Sequence, residues 1–118
     1  MLRTMLQSKI HGAIVTEADL NYMGSISIDK ELMERAGLYP FEKVLVVNLA
    51  TGIRAETYVI EVEKGSGKIG LNGGLARLGA VGDKILILCF VQLEESEVGG
   101  LKPTVLLMND KNKIEKEI

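Results

Sequence analysis

Few residues in this chain have side chains and spacings suited to chemistry, and the first of interest is the dipeptide Gly24-Ser25. It reads in two ways. A glycine turn can feed a short strand, Ser25 to Ile28, in which β-branched Ile26 and Ile28 share a face. Alternatively, the Ser25 hydroxyl attacks the carbonyl before it, left open because Gly24 lacks a Cβ, and the chain cuts itself. Lys9 and His11 would project to one side of a strand; His11 reads either as a structural histidine or as a functional one. Arg54 and Tyr58 lie four apart on one strand face, either solvated or paired as an anion clamp and an acid. Asn72-Gly73-Gly74 exposes backbone N–H groups at a helix start, which suits a carboxylate as well as an ordinary loop. Cys89 stands alone in an apolar run and reads as an inert core thiol.

The elements that must position these groups are mostly strands. The chain has 118 residues and is 47 % hydrophobic, enough for one domain, residues 1–118, around one core. Aromatics make up 4 % and tryptophan is absent, so the core is built from β-branched aliphatics, which favour strands. A net charge of −2 with interspersed signs calls for no nucleic acid. No apolar stretch reaches the ~20 residues that span a bilayer, and the N-terminus lacks a signal-peptide pattern. One cysteine and one histidine give neither a disulfide framework nor metal-ligand spacing. A cytoplasmic protein without membrane partner or metal is expected.

Alternation predicts a strand over 2–15, and Thr16 reads as the N-cap of a turn of helix through Leu20. Asp29 caps a helix over 30–36, closed by Gly37 at C′, with Ile28 and Met33 as a hydrophobic staple. Strands follow over 44–49 and 53–63. Residues 64–68 form a hairpin loop to a strand at 69–71, without the setting of a phosphate loop. A short helix over 75–78, a strand over 85–93, a helical turn over 94–97 and a strand over 104–108 complete the chain, with a frayed end. Phe41 to Val47 is echoed by Gly82 to Leu88, 41 residues on. Each copy follows a helical segment, a pattern that two βαβ-like halves of a closed barrel would give.

Taken in order, Met5-Leu6-Gln7-Ser8-Lys9-Ile10-His11, Ala18 through Ser25, Gly52 through Tyr58, Leu71 through Ala76 and Val81-Gly82-Asp83-Lys84 form an ordered set. In them the chain resembles the bacterial pyruvoyl-dependent aspartate 1-decarboxylases, from about residue 1 to 114. The resemblance implies a mainly β fold, a double-psi β-barrel with short helices, assembled as a homotetramer with sites between subunits. It implies cleavage into 1–24 and 25–118, with Ser25 becoming a covalently bound pyruvoyl group that forms a Schiff base with L-aspartate. The product would be β-alanine for pantothenate and coenzyme A.

By the same resemblance Tyr58 is the proton donor and Thr57 assists cleavage at Gly24 and Ser25 while touching substrate. Lys9 and Arg54 meet substrate carboxylates. Asn72, Gly73, Gly74 and Leu75 bind substrate, with His11 and Tyr22 supporting. A helper protein for maturation is a further expected partner, since some relatives need one. Gly12 stands where the family generally has arginine, Ala55 where it has phenylalanine, and Gly74-Leu75 where it has two alanines. These departures bear on efficiency or specificity more than on reaction type. The alternative is a non-enzymatic barrel kept for assembly or binding, with Gly24-Ser25 intact.

Overall fold

The computed structural model describes all residues, 1–118. Nine strands run as β1 (Leu2–Ile14), β2 (Glu17–Asp19), β3 (Ser25–Asp29), β4 (Lys43–Asn48), β5 (Arg54–Val62), β6 (Ile69–Asn72), β7 (Lys84–Glu94), β8 (Thr104–Met108) and β9 (Ile114–Glu117). Helices α1 (Lys30–Ala36) and α2 (Glu95–Val98) and a 3₁₀ turn, Gly73–Leu78, connect them. The strand order is β2-β6-β3-β5-β4-β7-β1-β8-β9. Its two ends meet. Asn112, in the β8–β9 turn, donates through Nδ2 to the carbonyls of Ile14 and Gly67, and its Oδ1 accepts from the Ile14 N–H. Thr16 N–H donates to Ile69 at 2.8 Å, tying the end of β1 to β6. Closure of this kind fits the expected double-psi β-barrel and removes most free edges.

The interior is aliphatic, as the composition implied. Ile10, Ile26, Ile28, Val59, Ile69, Ile85 and Leu106 are each 1 % exposed or less. Alternation along each strand sends these inward and their neighbours outward. The 41-residue echo falls on β4 and β7, which pair antiparallel. Leu45 faces Leu88 and Val47 faces Leu86, while Val46 faces Ile87. Shifting by 41 residues exchanges the first two pairs and returns the third to itself, so a local two-fold passes through Val46 and Ile87.

Four expectations change. The 16–20 segment is a strand, β2, parallel to β6, because the Thr16 hydroxyl is committed to the Ile69 N–H and carbonyl and caps no helix. Residues 64–68 close no hairpin: β3 lies between β5 and β6, parallel to one and antiparallel to the other. The C-terminus is not frayed, since β9 pairs with β8. The short helix near 75–78 is a 3₁₀ turn that starts two residues earlier, at Gly73.

Asp29 does cap α1, accepting from Glu31 N–H at 2.9 Å, and Gly37 ends the helix at φ +74°. The same carboxylate also accepts from Gly65 and Gly67 N–H at 2.8 and 2.9 Å. Burial alone would push its pKa up. The three N–H donors, helped by the Lys113 charge, outweigh this and hold it below the ordinary 3.8. A folded pKa below the unfolded one lends stability above the unfolded pKa and loses it as pH falls through the folded one. Asp29→Ala should therefore cost about 2–4 kcal/mol at pH 7, from a lost cap and two orphaned donors. Urea unfolding should show that gap narrowing below about pH 4; a gap constant from pH 7 to pH 3 would refute the assignment.

Candidate active site

Ser25 opens β3, directly after the exposed segment Leu20–Gly24. Antiparallel pairing sets it opposite Asn72, the last residue of β6. Asn72 is buried, and its Nδ2 donates to both Ser25 Oγ and Ser27 Oγ at 2.9 Å. Ser25, Ser27 and Asn72 thus share one face of the sheet, and Ile26, Ile28 and Leu71 fill the core behind it. The Ser25 hydroxyl keeps its own proton for the Met23 carbonyl, 3.4 Å away. That contact is long and easily given up.

A cleft of about 320 Å³ opens beside this serine, lined by Gly24, Ser25, Ala55, Thr57, Asn72 and Gly74 among others. Two larger hollows, of about 480 and 490 Å³, lie elsewhere and hold neither Gly24 nor Ser25. The cleft has room for a small polar molecule, and its lining joins the Ser25 hydroxyl, a second hydroxyl and an amide.

β5 supplies that second hydroxyl and divides its polar side chains between two faces. Thr57 is half-buried and lines the cleft, whereas Arg54, Glu56 and Tyr58 are exposed. The parallel ladder with β3 begins at Ile26 beside Val59, and one step earlier along both strands stand Ser25 and Tyr58. Alternation therefore gives Thr57 the cleft and leaves Tyr58 on the face that Ser25 and Ser27 share. Tyr58 also meets Phe41, the ring centres 6.5 Å apart.

The structure does not bring every expected residue together within one chain. Lys9 and His11 lie on β1, separated from β3 by β5, β4 and β7 in the strand order. Tyr22 is exposed in the segment before Gly24. Lys9, His11, Tyr22, Arg54 and Tyr58 all stand outside the cleft lining, while Gly24, Ser25, Thr57, Asn72, Gly74 and Leu75 are inside it. Neither Lys9 nor Arg54 forms an ion pair in the chain, so both cations are free to meet a carboxylate. Gly12 sits at φ +85° in a register shift of β1, a bend that an arginine there would adopt at a cost.

Sequence spacing missed the steric part played by Gly73. It adopts φ +62°, and a Cβ there would lie 2.8 Å from Gly24 Cα. The positive φ could have been suspected from the adjacent glycines; the contact with Gly24 joins residues 49 positions apart and had no local signal.

No three His, Cys, Asp or Glu side chains gather to hold a metal, and no helix is long and apolar enough to cross a membrane. Cys89 is buried, and burial first, with the nearby Glu42 charge, pushes its thiol up to about 12. A thiol so seldom ionised is a poor nucleophile. A maleimide or disulfide reagent at pH 8 should leave it unlabelled in the native protein and label it fully in denaturant. Rapid native labelling would contradict that.

A closed β-barrel with a hydroxyl held at a loop-to-strand junction, beside a small polar cleft, defines the class of protein. A family model described as aspartate decarboxylase matches residues 1–115. Curated relatives agree. The aspartate 1-decarboxylase of Caldicellulosiruptor bescii is 56 % identical over 97 % of this chain and 89 % of its own length. That of Neisseria meningitidis serogroup C is 53 % identical over 97 % and 90 %. That of Clostridium beijerinckii is 53 % identical over 100 % and 94 %. The chain belongs to the aspartate decarboxylase family.

Proposed function

We propose that this chain is a self-processing L-aspartate α-decarboxylase, releasing CO2 and β-alanine for pantothenate and coenzyme A synthesis. The observation that carries this reading is the Ser25 hydroxyl, held by Asn72 at the start of β3 with Gly24 and Thr57 in one cleft. Family membership supports the reaction, and the shared cleft supports this place for it.

Processing needs no co-reactant but water. Ser25 Oγ bonds to the Gly24 carbonyl carbon as the Gly24–Ser25 amide breaks, and the hydroxyl proton passes to the released nitrogen. Loss of the Ser25 Cα proton then expels the ester oxygen, leaving residue 24 as a carboxylate and residue 25 as dehydroalanine. Water adds, ammonia leaves, and a ketone remains at the new N-terminus. Ser25 suits that origin because it is the first residue of its strand, so cutting before it severs a loop and no ladder. In this reading Thr57, which lines the cleft with Gly24, donates to the Gly24 carbonyl as charge develops there.

A pyruvoyl ketone at residue 25 supplies an electrophile for an amine and a sink for the electrons freed as CO2 leaves. The chain's own groups do the rest. Arg54 suits a carboxylate through its fixed fork and permanent charge, and Lys9 offers a second cation. Tyr58, one residue before the β3–β5 ladder on β5 as Ser25 is on β3, delivers the proton that completes β-alanine. Backbone groups of Gly73, Gly74 and Leu75 and the Asn72 amide orient the substrate, with His11 and Tyr22 in support.

Lys9 and His11 lie far from Ser25 along the strand order, and Tyr58, Phe41, Tyr22 and Ile53 are exposed. Both facts favour a homotetramer in which one subunit completes another's site. A maturation helper remains a further partner in this reading.

Mass spectrometry of the purified protein should find fragments 1–24 and 25–118, the second beginning with a pyruvoyl group. An intact chain after prolonged warming, with or without lysate added, would overturn self-processing. Tyr58→Phe should still be cut yet lose β-alanine production by about 10²-fold or more; full turnover would remove Tyr58 from the acid's role. Exchanging aspartate for glutamate should abolish most turnover if Lys9 and Arg54 set the carboxylate spacing.

A further inference from the structure

Asn72 and Gly73 are consecutive, and between them they touch both sides of the Gly24–Ser25 bond. Asn72 pairs with Ser25 and donates to its hydroxyl. Gly73 lies under the other half. A Cβ on it would come within 2.8 Å of Gly24 Cα, 2.9 Å of Gly24 N and 3.0 Å of Tyr22 O. All three are backbone atoms, so no side-chain rotation could relieve the clash, and segment 22–24 itself would have to move.

We propose that Gly73 is a positioning residue for self-cleavage: its bare Cα is the seat that holds the Gly24 peptide within reach of the Ser25 hydroxyl. This rests on the self-processing reading and is separate from any contact Gly73 makes with substrate. The bond to be broken is anchored on one side by the β3–β6 ladder, which ends at Ser25 and Asn72. Upstream of it the next ladder, β2 with β6, ends at Asp19 and Asn72 and leaves residues 20–24 unpaired. The segment at 22–24 makes one backbone–backbone hydrogen bond, Tyr22 N–H to Asp19 at 3.4 Å, and Met23 accepts from Ser25 Oγ, also at 3.4 Å; both are long, and the close packing against Gly73 is the tighter constraint on Gly24. Attack on a carbonyl tolerates little displacement, and an error of about 1 Å can cost 10²-fold in rate.

The test separates contact from backbone strain. Gly52 has φ +75° with nothing within 4 Å of a Cβ, so Gly52→Ala carries the strain of Gly73→Ala without its contact. Cleavage of freshly purified full-length chains is followed by intact mass, with and without hydroxylamine to trap the ester. Gly73→Ala should be cut at least roughly tenfold more slowly and yield less hydroxylamine-cleavable ester. Gly52→Ala should be cut at the wild-type rate. Equal rates for the two would overturn the proposal.

A second variant covers the case in which Gly73→Ala does not fold. One glycine inserted after Tyr22 lets the segment lift away while Gly73 is kept, and it too should slow cleavage. Wild-type cleavage by that variant would also overturn the proposal. If the wild-type chain never cleaves, the self-processing reading falls; if it cleaves and neither variant is slowed, only the role of Gly73 falls.

Discussion

Burying the Asp29 carboxylate unpaired would cost several kcal/mol, and the chain offsets this with three backbone N–H donors from two separate segments. One donor starts α1 and two come from the 64–68 loop, so the end of β3, the helix and the approach to β6 are fixed to one another. All five residues of β3 are buried. A strand so short, pinned at Asp29 and paired on both sides, leaves Ser25 little freedom at its other end. The Ser25 hydroxyl therefore inherits its position in part from a carboxylate four residues away, outside the cleft lining.

What could be read from the sequence was what short-range physics decides. Asp29 before α1 and Gly37 after it carry their signals within a few residues, and alternation along Arg54–Val62 placed Thr57 and Tyr58 on opposite faces. Those features appear as expected. The insertion of β3 between β5 and β6 does not follow from any local pattern, because the turn at 64–68 looks the same whether or not a third strand separates its neighbours. β2 and β9 are strands because partners exist for them elsewhere in the chain. Thr16 illustrates the point: its hydroxyl suits a helix cap, and a distant backbone at Ile69 claims it first.

The candidate site divides in the same way. The ordered motifs named its residues, and the fold brings part of them into one cleft. Thr57, Asn72 and the Gly24–Ser25 pair converge because β3 neighbours both β5 and β6. Lys9 and His11 stand outside that cleft, on β1, which pairs with β7 and β8 and with neither β3 nor β5. In the proposed homotetramer a second copy would return the missing groups, and the exposed Tyr22, Tyr58 and Phe41 would gain a partner surface.

The position of β1 has one more consequence. This strand pairs along most of its length with β7 and also with β8, and it supplies Ile10 and Ala13 to the core. It also lies entirely upstream of Ser25. A cut after Gly24 would leave it embedded, no longer covalently joined to the strands around it. Folding of the intact chain is unimolecular, whereas reassembly of the cut one is bimolecular and depends on concentration. The mature protein would thus be made once and then persist by slow unfolding, with no equally easy route back from the denatured state.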